Sequence, residues 1–122
     1  KEIRDRLSAA NCKIGGWNEG FDPFYGAPAI LIVLANKEMP TYIYDGSMVM
    51  GNLMLAAHAE GLGSCWIHRA KEEFETPEWK EWLHSLGIEG EYEGIGHVAL
   101  GYVEGEYPKT QARKEDWLYF VE

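Results

Sequence analysis

The sequence predicts one compact domain that mixes helices with a few inner strands, and three observations carry that reading. Residues 29–35 form an unbroken apolar run of strand length after Pro28, and residues 94–103 form a second run spaced by glycines. Between them lies a helix-length stretch that is apolar on nearly every side. A chain of 122 residues with 46% hydrophobic and 13% aromatic content has enough apolar surface to form a core against the entropy of ordering. No internal repeat, low-complexity tract or linker divides it, so a single domain is expected over residues 1–122.

The elements follow in chain order. Ile3, Leu7 and Ala10 recur three to four residues apart among charges, the stripe of a short amphipathic helix expected to end near Asn11. Residues 15–26 join Gly15-Gly16 and Pro23 to Trp17, Phe21 and Tyr25. Large aromatics in a loop are rarely left in water, so an ordered loop folded over something is expected, its aromatics either filling core space or shaping a ligand pocket. Residues 29–35, rich in β-branched side chains, read as a central strand covered on both faces. From residue 44 to 60, Met48, Val49, Met50, Leu53, Met54, Leu55, Ala56 and Ala57 describe a buried helix stopped by Gly61-Leu62-Gly63. Its small residues Gly51, Ala56, Ala57 and Ala59 permit close backbone approach, which suits burial inside one subunit or inside a dimer interface. Residues 64–67 are short and β-leaning. Residues 77–86 read as a helix with Pro77 in its first turn and Trp79, Trp82, Leu83 and Leu86 on one face. The glycines of residues 94–103 imply an inner strand in close contact with a neighbour. Residues 108–114 form a basic loop, and residues 117–121 an apolar strand or arm with no partner of its own.

Charge and composition narrow the function. With 20 acidic against 11 basic residues the formal charge is −9, and such a field repels nucleic acid and anionic lipid surfaces. No apolar run is long enough to span a bilayer, so no membrane is expected as a partner. Two cysteines, Cys12 and Cys65, make no disulfide framework, which points to a reducing cytoplasm. Cys65 and His68 stand at a C-x-x-H spacing, but a structural zinc site needs a second local pair of ligands and the sequence has none, so no metal is expected. Cys65 between Ser64 and Trp66 reads as a small hydrophobe rather than a nucleophile. Gly61-x-Gly63 follows a helix, not a strand, which excludes a Rossmann dinucleotide turn. The stretch Pro108-Lys109-Thr110-Gln111-Ala112-Arg113-Lys114 admits two readings, a solvated turn or a phosphate clamp built from a planar guanidinium and a compact ammonium.

The segment Gly61-Leu62-Gly63-Ser64-Cys65-Trp66-Ile67-His68-Arg69-Ala70-Lys71-Glu72, preceded by Tyr44-Asp45-Gly46-Ser47 and by Asn52-Leu53-Met54-Leu55-Ala56-Ala57, resembles the nitroreductase family of FMN enzymes. Gly96-His97-Val98-Ala99-Leu100-Gly101-Tyr102 resembles that family's last core strand, and Pro108-Lys109 with Arg113-Lys114 its C-terminal phosphate-binding stretch. The resemblance implies an α+β fold, with a central, mostly antiparallel sheet flanked by helices, in an intertwined homodimer with FMN at each interface. It implies that Trp66, Ile67, His68 and Arg69 run beside the flavin ring, with main-chain groups at its N5 edge, and that Lys109 and Arg113 hold the phosphate. The spacing of that pair exceeds the usual Lys-x-Arg and leaves Lys114 as the alternative second cation. The family's Arg-Arg-Ser phosphate motif and flavin-contacting asparagine segment are not found in these residues, so the chain is expected to lack an N-terminal segment.

The activity so implied is an FMN-dependent oxidoreductase that uses NADH or NADPH and passes electrons to a nitroaromatic, quinone or similar small-molecule acceptor. The flavin N5 carries the chemistry and no catalytic side chain is required. The alternative is a non-catalytic binding or assembly domain that keeps the fold.

Overall fold

A computed structural model describes residues 1–121 of the chain. Its elements are α1 (Glu2–Gly15), β1 (Ala29–Asn36), α2 (Tyr42–Ala59), β2 (Gly63–Ile67), α3 (Ala70–Phe74), α4 (Pro77–Ser85) and β3 (Tyr92–Gly101). Helix α1 runs a full turn beyond Asn11, because the stop is Gly16 rather than the end of the apolar stripe. Gly16 adopts φ 68°, and the Trp17 and Gly16 amides reach back to the Cys12 and Lys13 carbonyls at 3.1 and 3.2 Å. Helix α4 begins where expected: Thr76 is extended, and Pro77 occupies the first turn, where its missing N–H costs nothing. Helix α3 is an element that apolar periodicity does not disclose; at five residues it is too short to show a repeat.

The sheet has three strands in the order β1-β3-β2, and both pairings are antiparallel. Strand β3 is therefore the central one. The expectation that residues 29–35 form the central strand is corrected, since β1 lies at an edge and only Val33 in it is buried. An apolar run reports what its faces would bury, not where the strand stands in the sheet. β3 pairs with both other strands, and its glycines admit close contacts on the faces of the sheet. A Cβ at Gly94 would collide with the Ala70 backbone, and one at Gly96 would stand 2.5 Å from the Trp66 indole nitrogen.

Alternate residues of the sheet feed two cores. On one face Ile67 and Ala99 join Leu7 of α1, Phe24, Ala70 and Phe74 of α3, and Trp79 and Leu83 of α4. On the other, Val33 and Val98 join Met50 of α2, with Leu53, Met54, Trp66 and Ile95 packed around them. Each large side chain so buried contributes roughly 1.5–3 kcal/mol from removal of apolar area from water. Of the two settings left open for helix α2, burial within the subunit is not the one observed, for Tyr44, Met48 and Leu55 are 68–73% exposed and only Gly46, Met50 and Ala57 are buried. The loop aromatics Trp17, Phe21 and Tyr25 do not fill the core either. They stack on one another at the surface, with ring centroids 5.3 and 6.1 Å apart, while Phe24 enters the core in their place.

After Gly101 the chain leaves the sheet. Val103 packs into the space above Gly63, and the Tyr107 ring meets His58 edge-on at 6.2 Å. From residue 108 to 121 it is irregular and exposed, so residues 117–121 form an arm rather than a strand. Among the described residues no helix is long and apolar enough to cross a membrane.

Candidate functional site

The segment from residue 66 to 69 passes from β2 into α3 and divides its side chains among different surroundings. Trp66 points into the α2-side core, where its indole N–H is buried without an acceptor. Ile67 points into the opposite core. His68 is exposed, with its ring 5.8 Å from that of Trp66. The Arg69 guanidinium lies 5.8 Å from the Trp17 ring, a cation–π contact, close to the missing Cβ of Gly15. What these residues share is their main chain. Arg69 takes the left-handed conformation, φ 78°, one of few non-glycine residues to do so. Among the described residues its N–H has no hydrogen-bond acceptor, while the His68 carbonyl accepts from the Asn11 side-chain amide at 2.8 Å.

The support beneath this turn is polar and buried. Glu73 and His97, both fully buried, join α3 to β3 through Oε2 and Nε2, with the Phe24 ring set edge-on to the imidazole at 5.3 Å. At the other side of α3, Lys71 pairs with the buried Glu93 at 3.4 Å, and the Tyr42 hydroxyl donates to the same carboxylate oxygen at 3.3 Å. The Glu93 hydrogen bond and charge raise the Lys71 pKa. Helix α3 is thus held to the central strand by the Lys71–Glu93 ion pair, by the Glu73–His97 contact and by the close backbone approach at Gly94.

Asp22 organises the aromatic loop. Its Oδ1 accepts from Ser8 Oγ at 2.8 Å and the Phe24 amide at 3.0 Å, and its Oδ2 from the Gly26 amide at 2.8 Å and the Arg4 guanidinium. Burial alone would push this carboxyl up. The Arg4 guanidinium, the Ser8 hydroxyl and the two amides outweigh it and hold the group at about 2. Between α1 and this loop lies a hollow of about 530 Å³ bordered by Cys12, Trp17 and Phe21.

Lys109 and Arg113 do not meet the 66–69 turn. Both are exposed on the irregular tail, and the hollow beside Arg113 is bordered only by tail residues, Lys114, Asp116, Trp117 and Leu118. The tail leaves the sheet opposite Gly63, at the far end of β2 from the turn, a separation of about 13 Å at the usual strand rise. Among the described residues neither Lys109, Arg113 nor Lys114 makes an ion pair; Lys114 lies over the Trp117 ring at 5.7 Å. No group of three or more His, Cys, Asp or Glu side chains suited to a metal occurs among the described residues.

Asn11, Glu73 and Glu93 are the polar residues that sequence reasoning passed over. The signal for Asn11 was present: it stands four residues after Leu7, inside the buried stripe of α1, where an amide needs a partner.

Comparison with known proteins places residues 10–102 in the pattern of the Nitroreductase family. A nitroreductase with bound FMN from Bacteroides fragilis is similar in structure, with TM-score 0.80 and 29% identity over 99% of this chain and 69% of that one. A nitroreductase with bound FMN from Desulfitobacterium hafniense has TM-score 0.82 at 21% identity, over 100% of this chain and 71% of that one. An FMN-dependent nitroreductase from Clostridium difficile has TM-score 0.69 at 24% identity, over 100% and 71%. The last two likenesses speak to the fold alone. A search of curated proteins finds no match.

Proposed function

Because the chain belongs to the nitroreductase family, we propose that it is an FMN-dependent oxidoreductase that uses NADH or NADPH to reduce a nitroaromatic, quinone or similar electron-poor small molecule. The observation that carries the reading is the Arg69 N–H, left without an acceptor at the turn where the family resemblance puts the flavin ring. A second feature fits FMN: in a chain of charge −9, Lys109, Arg113 and Lys114 make no ion pair among the described residues and are available to a phosphate. The chemistry such a cofactor supplies when bound is hydride acceptance and electron delivery at its ring. The protein's share is to bind and orient. The main chain of Trp66, Ile67, His68 and Arg69 offers a donor fixed in direction, which stabilises charge without reorganising, and Arg113 with Lys109 or Lys114 offers cations for the phosphate. No side-chain acid or base is needed for this role.

A homodimer belongs to the same proposal. It is supported by the unpaired edge of β1, the exposed apolar side of α2 and the exposed residues Trp117, Leu118, Tyr119, Phe120 and Val121, a combination that in an isolated subunit invites aggregation. A partner subunit also offers a route by which tail cations and a 66–69 turn come together. The cytoplasm remains the proposed compartment, on the strength of two unpaired cysteines.

The test is loss of the flavin's visible absorption when NADH or NADPH is added to the FMN-loaded protein without oxygen. Bleaching is the expected result. Saturable FMN binding with no bleaching by either nucleotide would favour a binding or assembly domain that keeps the fold but not the activity.

A further inference from the structure

We propose that Asn11 is a positioning residue: by holding the His68 carbonyl, its side-chain amide sets the direction of the Arg69 N–H. The inference rests on the flavin reading given above and deepens it. A peptide unit is planar and trans, so its C=O and N–H point in opposite directions. With the His68 carbonyl drawn toward α1 by Asn11 Nδ2 at 2.8 Å, the Arg69 N–H must point away from α1.

The rest of the turn leaves this peptide one freedom. Before it, Ile67 is paired with His97 in the sheet. After it, α3 is held by the Ala70 contact at Gly94, by Lys71 with Glu93 and by Glu73 with His97, and the Glu73 amide donates to the Arg69 carbonyl at 3.0 Å. The remaining motion is a flip of the 68–69 peptide about its flanking bonds, which changes ψ of His68 and φ of Arg69 together. In the observed orientation Arg69 sits at φ 78°, where a residue bearing a Cβ is disfavoured. The flip would return Arg69 to negative φ and turn the His68 carbonyl outward, replacing a donor with an acceptor. The intrinsic preference of the backbone thus favours the wrong face, and the hydrogen bond from Asn11 opposes it. Asn11 is itself fixed, being fully buried on the inner face of α1.

The experiment uses Asn11→Leu, which keeps the branch at Cγ and removes both the donor and the buried, partnerless Oδ1. Apparent FMN affinity should fall about five- to twentyfold while the melting temperature holds or rises, a separation that a merely structural role would not produce. In an Arg69→Gly background the left-handed conformation carries no penalty, and there Asn11→Leu should cost less than about threefold. An equal loss in both backgrounds, or no loss in either while His68→Pro still abolishes binding, overturns the role of Asn11 and leaves the flavin reading standing. If the wild-type protein binds no FMN, the flavin reading fails first. The peptide orientation is then decided by the strong intraresidue amide-to-α-proton Overhauser effect that marks a positive φ. It should be present at Arg69 in the wild type and lost in Asn11→Leu, and its persistence in the variant would overturn the proposal.

Discussion

Replacing Asp22 by asparagine should destabilise the protein by about 1–2 kcal/mol at neutral pH, and the reason is the arrangement of donors around the carboxylate. Ser8 and the Phe24 amide converge on Oδ1, and Arg4 and the Gly26 amide on Oδ2. An asparagine has one acceptor oxygen, so whichever way its amide turns, the NH₂ faces two donors. The pH dependence gives a second route to the magnitude. The carboxyl sits at about 2 in the folded chain against 3.8 for the free group, a difference worth about 2 kcal/mol. Its side chain is 29% exposed, so solvent screening makes that an upper value. Because the folded pKa is depressed, this stability is present above pH 3.8 and is lost as the pH falls toward 2. Urea unfolding of both proteins at pH 7, 4 and 2 measures it, the other carboxylates cancelling in the difference. The gap between wild type and Asp22→Asn should be widest at pH 7 and close by pH 2. A gap that does not narrow with pH, or none at pH 7, would refute the anchoring role, since Phe24 beside it is part of the core.

Arg113→Ala should weaken FMN binding by about 1.5–3 kcal/mol, the scale of a charge-assisted hydrogen bond, and Lys109→Ala beside Lys114→Ala should single out the second cation in the same titration. His68→Ala keeps the main-chain N–H and should change flavin reduction less than about tenfold in stopped-flow measurements. His68→Pro fixes φ immediately before the 68–69 peptide, so the Arg69 N–H loses its direction, and it should abolish FMN binding in a protein that still melts cooperatively. A steep loss in His68→Ala with a pH dependence near the histidine pKa would instead make the imidazole a proton donor. Leu55→Asp, on the exposed side of α2, should give a folded monomer by light scattering; Leu53 is a poorer probe because it packs on the inner core.

Most of the fold could be read from local signals. The apolar stripe of α1, the proline start of α4 and the glycine-spaced run of β3 each act over a few residues, and each marks its element, though α1 runs a turn further and β3 spans Tyr92–Gly101. Strand order could not be read this way, because β1 and β3 are both apolar runs of strand length and the pairings that put β3 between the other two join residues far apart in sequence. Helix α2 left two settings open for a related reason: apolarity all round says that both sides want cover, not that one subunit supplies it. In the candidate site, residues 66–69 were found through resemblance. Their geometry depends on Asn11, Glu73 and His97, between 24 and 57 residues from their partners in sequence, which no local pattern connects. The left-handed Arg69 was hidden as well, since glycine is what normally advertises that conformation.

The central claim is that this chain holds FMN through the 66–69 turn and the tail cations, and a titration of the whole protein with FMN, followed by quenching of flavin fluorescence, tests it most directly. Saturation at one FMN per chain, abolished by His68→Pro and weakened by Arg113→Ala, is the expected result. Failure to saturate, or binding that neither substitution changes, would contradict it.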